Sequence, residues 1–388
     1  MPAIAVRDVR DLRARLDRLG GAPRPRPQPQ LARPRGFEPV PTPFGDAWLR
    51  EDVIPLPALD PHPGPVAYID TETTGLGGGA GTYVFAAAVA LPIECGLRVA
   101  QLFLPQPGQE AAFLHRLRAE LDAAHGLASF NGGSFDLPAL RTRWVMARMP
   151  GELDYPPHVD LLTLVRALYR HRLESCTLRM VEERVLGYER DDPISGALAP
   201  DAYFAYLNRG SSPLLEAVLK HNRLDVISLV HLHSRLLSRL KGGDAGMDAS
   251  DWLALGRHRL RRGARADGWR ALRCAAGFPA DEAAATAGLL MARRLARRRT
   301  TVMGAEQLLG WLESRVASDV RLPVARAMLL EWRRRDPQQA LAVVEAAQTR
   351  IPDGAPALEA RRNRLRRKVA NKRSLKESTE MPSPSLFG

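Results

Sequence analysis

The sequence predicts an α/β unit, a mixed sheet flanked by helices, followed by an all-α helical-repeat region. Three observations carry this reading. Short apolar runs bounded by glycine and proline crowd residues 65–104, and helical spacing with short strands between takes over after Glu110. From Trp252 to Ile351 the spacing is helical throughout. Charge changes at the same place: residues 51–250 carry a balance of −6, residues 251–388 one of +14, and residues 1–50 one of +5.

In order along the chain, Val9, Leu12, Leu16 and Leu19 recur at three- and four-residue steps, which predicts a short amphipathic helix. Residues 21–43 are rich in Pro, Arg and Gln and read as an extended linker, so residues 1–44 form one segment. A strand or hairpin over Ala47–Leu59 leads into an α/β domain assigned to residues 45–241. Pro65–Asp70, Thr82–Leu91 and Leu97–Leu104 read as an antiparallel meander. A helix follows from Glu110 to Ala124, then a buried strand at Leu127–Phe130. Further helices are expected from Asp136 to Met149, after Asp160, and from Ser212 to Leu240.

Beyond residue 250, helix pairs fall near 251–262 and 266–276, 282–299 and 304–316, and 322–334 and 337–350. Asp336-Pro-Gln-Gln-Ala-Leu resembles the start of the second helix in a tetratricopeptide repeat. The repeat's usual Trp, Gly and Tyr signature does not recur, so an ordinary helical bundle stays open as the alternative for residues 250–368. Residues 369–388 are polar, contain Ser and Pro, and read as a disordered tail.

The longest apolar run, Thr82–Leu91, is strand-length and falls short of the ~20 residues that span a bilayer. Cys95, Cys176 and Cys274 are too scattered for a disulfide framework or a zinc site, and a reducing cytoplasm is the expected location. The basic ends suit a phosphate backbone, although an Arg-favouring codon composition is an equal source of the excess. The run Arg361-Arg-Asn-Arg-Leu-Arg-Arg-Lys368 is read as a nucleic-acid contact or a solvated helix end.

The chemistry sits in three short segments: Asp70 and Glu72 in Asp-Thr-Glu-Thr-Thr-Gly-Leu, Asp136 in Asn131-Gly-Gly-Ser-Phe-Asp136, and Asp225 in His221-Asn-Arg-Leu-Asp225. Each puts a carboxylate where an apolar element is expected, at a cost unless it is paired or holds a metal. Taken alone, Asp70 reads as a turn residue and Asp136 as a helix cap. Together they suit two hard divalent cations, Mg2+ or Mn2+, which prefer oxygen ligands. Asp70 and Glu72, two apart on a strand, face the same way, and His221 and Asp225, four apart, share a helix face. His221 is then a proton acceptor, a donor to substrate phosphate, or a packing residue. Asp160, set among apolar neighbours, reads as the cap of the following helix rather than a fifth ligand.

These segments, in this order, resemble the DEDD exonuclease superfamily on the ribonuclease H-like fold. Within it, the likeness is to YprB-type bacterial ribonuclease H-like domain proteins, over roughly Gly45–Leu240. One departure is the position of His221. One DEDD branch has a Tyr four residues before the last Asp, the other a His five before it, and here a His stands at the Tyr spacing. The resemblance implies Asp70, Glu72, Asp136 and Asp225 as ligands to two cations, with His221 as general base. It also implies 3′→5′ hydrolysis of single-stranded DNA or RNA to nucleoside monophosphates. Thr73, Thr74, Gly75 and Leu76 would then lie against the terminal nucleotide, and Asn131 would orient an acid or touch the backbone. A turn-forming role for Asn131 and a plain hairpin at Gly77–Gly79 are equal alternatives. A catalytically vestigial scaffold, binding nucleic acid or protein through its helical repeats, is the rival function. Leu386 and Phe387 resemble the end of a sliding-clamp-binding peptide without its leading Gln, which reads first as an uninformative tail.

Overall fold

A seven-stranded mixed sheet organises the first part of the chain. The computed structural model describes residues 29–55, 65–75, 79–94, 96–149, 157–190, 194, 196–242, 246–351 and 355–379. The strands are β1 (Glu38–Thr42), β2 (Gly45–Ile54), β3 (Val66–Thr73), β4 (Val84–Ile93), β5 (Gly96–Phe103), β6 (Gly126–Ser129) and β7 (His158–Asp160). Their spatial order is β1-β2-β5-β4-β3-β6-β7, antiparallel from β1 to β3 and parallel from β3 to β7.

The β3–β5 meander is as expected, but the hairpin before it starts earlier. Pro39 and Pro41 make this stretch read as linker, yet residues 38–42 form β1, with Pro39 opposite Trp48 and Pro41 opposite Asp46. An edge strand tolerates proline because the missing N–H belongs to the side without a neighbour. The expected N-terminal helix lies outside the described residues.

In β4 the run Val84-Phe-Ala-Ala-Ala-Val-Ala90 is buried throughout, as a central strand covered on both faces requires. The covering helices are α1 (Glu110–Asp122), α2 (Asp136–Met146), and, further along the chain, α5 (Ala199–Arg209) and the first part of α6 (Pro213–Lys241). Their apolar residues, among them Leu117, Leu140, Tyr203 and Leu219, join β3–β5 in one core. Phe85 stacks on Tyr203 at 4.5 Å between ring centroids, and Phe103 meets Tyr206 edge-on at 5.3 Å.

The chain divides into two compact units. The first holds residues 1–59, 63–161 and 189–231, and the second holds 60–62, 162–188 and 232–388. The second is helical among its described residues. It begins with α3 (Leu161–Leu168, from its second residue) and the short α4 (Leu178–Val181). After α6 come α7 (Ala249–Arg261), α8 (Arg265–Ala276), α9 (Glu282–Leu295), α10 (Val302–Arg315), α11 (Arg321–Leu329), α12 (Pro337–Arg350) and α13 (Ala355–Thr379).

Aspartates start three of these helices. Asp248 forms a capping box with Asp251, Asp281 accepts from the N–H groups of Ala283 and Ala284, and Asp336 accepts from Gln339 ahead of a Pro at the first position. Gly288 lets α9 approach α10, since a Cβ there would stand 2.0 Å from Leu312 Cδ1.

Residues 369–379 of the expected tail are helical. The helix containing Lys368 continues to Thr379, anchored by buried Leu358, Leu365 and Val369 on a sparse seam. Leu386 and Phe387 lie outside the described residues. No helix among the described residues is long and apolar enough to cross a membrane.

Candidate metal centre

Strand β3 supplies Asp70 and Glu72 from one face, with small Ala88 and Ala86 opposite them on β4. The β3–β4 register slips between Glu72 and Thr73, an irregularity that re-aims the strand end. Thr71, on the alternate side, donates both its N–H (3.1 Å) and its hydroxyl (2.5 Å) to Asp136 Oδ1.

Asp136 reaches that position because the turn after β6 is tightly constrained. Asn131 sits in the left-handed region at φ +69° and donates its N–H to Asp160 Oδ1 at 2.9 Å. At Gly132 a Cβ would fall 2.3 Å from Ser129 Oγ and 2.8 Å from Asp136 Oδ2. Only glycine leaves room there. Asp136 is the first residue of α2 and its carboxylate faces Thr71, so it is not the cap of its own helix. Arg143 braces α2 by donating to Glu110 on α1 and to the Ala80 carbonyl, both at 2.6 Å.

Helix α6 brings the third segment. Asn222, fully buried, donates to Asp70 Oδ2 at 2.8 Å and to the Asp70 carbonyl at 3.0 Å. Gln101 on β5 donates to Asn222 Oδ1 at 2.9 Å and to the Leu219 carbonyl at 2.6 Å. Asp225 accepts from Arg190, and His221 Nε2 lies 3.7 Å from its Oδ2.

Asp70, Glu72, Asp136, His221 and Asp225 line one cleft of about 540 Å³ together with Thr71, Thr73 and Gly75. Thr73 donates its hydroxyl to the Gly75 carbonyl at 2.9 Å. Thr74 and Asn131 are not among the cleft-lining residues. The Thr74 hydroxyl accepts the Tyr83 N–H at 2.9 Å, and the Asn131 carbonyl accepts the Ser134 N–H at 3.1 Å in a turn. Leu76 lies outside the described residues.

Burial pushes Asp70 and Glu72 well above the usual carboxylate range, and the charges of Asp225 and Asp136 push them further. Asp136 is pushed up to about 6, chiefly by burial, against the opposing hydrogen bonds from Thr71. Asp70, Glu72 and Asp136 are thus short of positive charge, while Arg190 supplies it to Asp225. Hard oxygen donors with a deficit of cationic charge fit divalent cations such as Mg2+ or Mn2+. The four carboxylates do not converge as a closed ligand cage: Asn222 holds Asp70, Thr71 holds Asp136 and Arg190 holds Asp225.

Among the described residues, three ligand atoms that all lie within 4.8 Å of one another occur at His171, Asp248 and Asp251 in the second unit. There Arg172 and Arg239 already neutralise the buried Asp251. Burial raises the Asp251 carboxyl, but hydrogen bonds from His171 and Arg172 and the Arg239 charge outweigh it and bring it to about 2. This is an ion-paired helix start, with its donors already engaged.

Residues 67–237 match the RNase_H superfamily. That match and the sheet order agree. The fold of this unit is ribonuclease H-like. The chain is also 38% identical, over 175 residues, to the "Uncharacterized protein YprB" of Bacillus subtilis (strain 168). That alignment covers 45% of this chain and 42% of YprB, so the chain spans less than half the length of this relative. Among solved structures, a family B DNA polymerase from the hyperthermophilic archaeon Pyrobaculum calidifontis is similar at 16% identity and a TM-score of 0.35. It covers 57% of this chain and 34% of the polymerase.

Reading the sequence by motif overlooked the residues that hold the acids of the ribonuclease H-like unit. Thr71 and Asn222 stand inside the motifs, Thr71 half-buried on β3 and Asn222 fully buried on α6, and a polar side chain at such positions is a usable signal. Gln101 and Arg190 belong to no motif and carried none.

Proposed function

We propose that this chain is a DEDD-type 3′→5′ exonuclease that hydrolyses single-stranded nucleic acid with two divalent cations, Mg2+ or Mn2+. The observation that carries the reading is the meeting of four carboxylates from three distant segments in one cleft, where burial makes the charges of Asp70, Glu72 and Asp136 costly. Asp70, Glu72, Asp136 and Asp225 would hold the cations, which supply the charge that activates water and stabilises the leaving 3′ oxygen. Asn222 and Thr71 keep Asp70 and Asp136 in place. His221 takes the proton from the attacking water in this reading, supported by its place on the cleft wall beside Asp225. Thr73 and Gly75 border the same cleft and hold the terminal nucleotide through backbone and hydroxyl contacts that read no base.

The test is digestion of matched 5′-labelled single-stranded DNA and RNA with manganese, comparing the wild type with Asp70→Ala. A descending ladder that the variant loses supports the proposal and identifies the preferred sugar. Equal rates in both would overturn it. A second reading, a scaffold that binds without cutting, is favoured by the Arg190 guanidinium paired to Asp225. A scaffold predicts no cleavage by a folded protein and little thermal stabilisation by manganese.

A further inference from the structure

The helical unit exposes an aromatic ring surrounded by cations. Trp332 follows α11 on the turn Leu330–Arg334 and is 58% exposed. Lys368 Nζ lies 4.4 Å from the centre of its ring and the Arg364 guanidinium 5.7 Å, both from α13. These two cations also hold the buried carboxylate of Glu331, the residue preceding Trp332, so their positions over the ring are fixed rather than incidental. Met328, one turn earlier, is also exposed.

Arginine extends the patch. Trp332 is followed by exposed Arg333, Arg334 and Arg335. Arg333 donates to the Arg297 carbonyl at 3.0 Å, which joins them to the exposed run Arg297–Arg299 after α9. Arg334 turns toward Glu306 on α10 at 3.7 Å. Glu306 and Glu331 are the carboxylates paired with these cations, and both are largely covered. The outward charge is therefore strongly positive.

From this surface we infer that the helical unit binds single-stranded nucleic acid, with Trp332 stacking on a base and the flanking arginines and Lys368 gripping phosphates. Proteins that hold single strands without reading sequence combine these parts, an aromatic face and a cationic track. An acidic peptide would satisfy the arginines but leave the indole without a role. Duplex DNA would hide its base faces. The inference extends the proposed nuclease by giving its substrate a second contact, and binding at this surface does not depend on cleavage.

The experiment is fluorescence anisotropy of the full chain in EDTA with a labelled oligothymidylate and with an abasic strand of equal length. Wild type is compared with Trp332→Ala, Trp332→Phe and the double variant Arg333→Glu/Arg334→Glu, each checked by thermal melting. Trp332→Ala is expected to weaken oligothymidylate binding about tenfold and to leave abasic binding unchanged, while Trp332→Phe retains most affinity. The double charge reversal is expected to weaken both strands and to reduce the salt dependence of binding. Wild-type binding by both Trp332→Ala and the double charge reversal overturns the inference. So does an equal loss on both strands in Trp332→Ala, which makes the ring structural. Displacement of the strand by polyglutamate, with no effect of Trp332→Ala, assigns the surface to an acidic protein segment instead. Because cations are chelated throughout, failure of the nuclease proposal leaves this result standing, and the reverse holds.

Discussion

Asn222 donates its side-chain amide to both the carboxylate and the backbone carbonyl of Asp70, at 2.8 and 3.0 Å. One buried residue thereby fixes the third acidic segment against the first. Asn222→Ala removes both bonds and strips Gln101 of an acceptor, so the metal-free protein should lose about 2–4 kcal/mol. Urea denaturation in EDTA measures this. A loss below about 0.5 kcal/mol would mean that the tie is dispensable.

The acids should make metal-free stability fall as pH rises. With Asp136 raised from 3.8 to about 6, the native state holds more protons than the unfolded state between those values. Stability therefore declines through that window, and the full penalty persists above pH 6. Asp136→Asn abolishes this contribution. It should match the wild type near pH 4 and exceed it by about 3 kcal/mol at pH 7.5, by melting in EDTA. A variant less stable than the wild type at both pH values contradicts the assignment.

Manganese should reverse the penalty. At a hundredfold excess over its dissociation constant it should stabilise the wild type by about 2.7 kcal/mol, a gain expected to vanish in Asp225→Ala. Undiminished stabilisation of that variant places the ion elsewhere.

Arg190 competes for the same carboxylate. In Arg190→Gln, Asp225 loses its resident cation, so the EDTA form should be less stable while manganese binds several-fold more tightly by calorimetry. Weaker manganese binding in this variant would show that Arg190 supports the site rather than competing for it.

His221→Gln should lower turnover about 10²–10³-fold while leaving manganese stabilisation intact. Unchanged turnover assigns His221 to packing. A raised substrate KM at unchanged kcat assigns it to a phosphate contact.

Legibility followed how local each signal was. Asp70, Glu72 and Gly75 are consecutive enough to be read together, and Asp248, Asp281 and Asp336-Pro337 announce their helices by capping. Strand β1 was hidden because proline reads as linker until its position on the sheet edge is known. Helix α13 was cut short at Lys368 because its seam, Leu358, Leu365 and Val369, is too sparse for a periodicity argument. The acid-holding contacts were harder still. Arg190 lies 35 residues from Asp225, and Gln101 lies 121 from Asn222, so only folding brings them together. Asp160 also accepts the Asn131 N–H, a bond that requires β6 and β7 to be neighbours.

The proline-bearing strand at one margin of the sheet has a consequence for how these molecules behave in a crowd. Pro39 and Pro41 withhold two donors from any strand that tries to dock alongside, and β7 at the other margin offers only three residues, His158–Asp160. Both borders are therefore poor templates for a foreign strand. A foreign strand would find few backbone partners at either border, although the centre of the sheet is apolar.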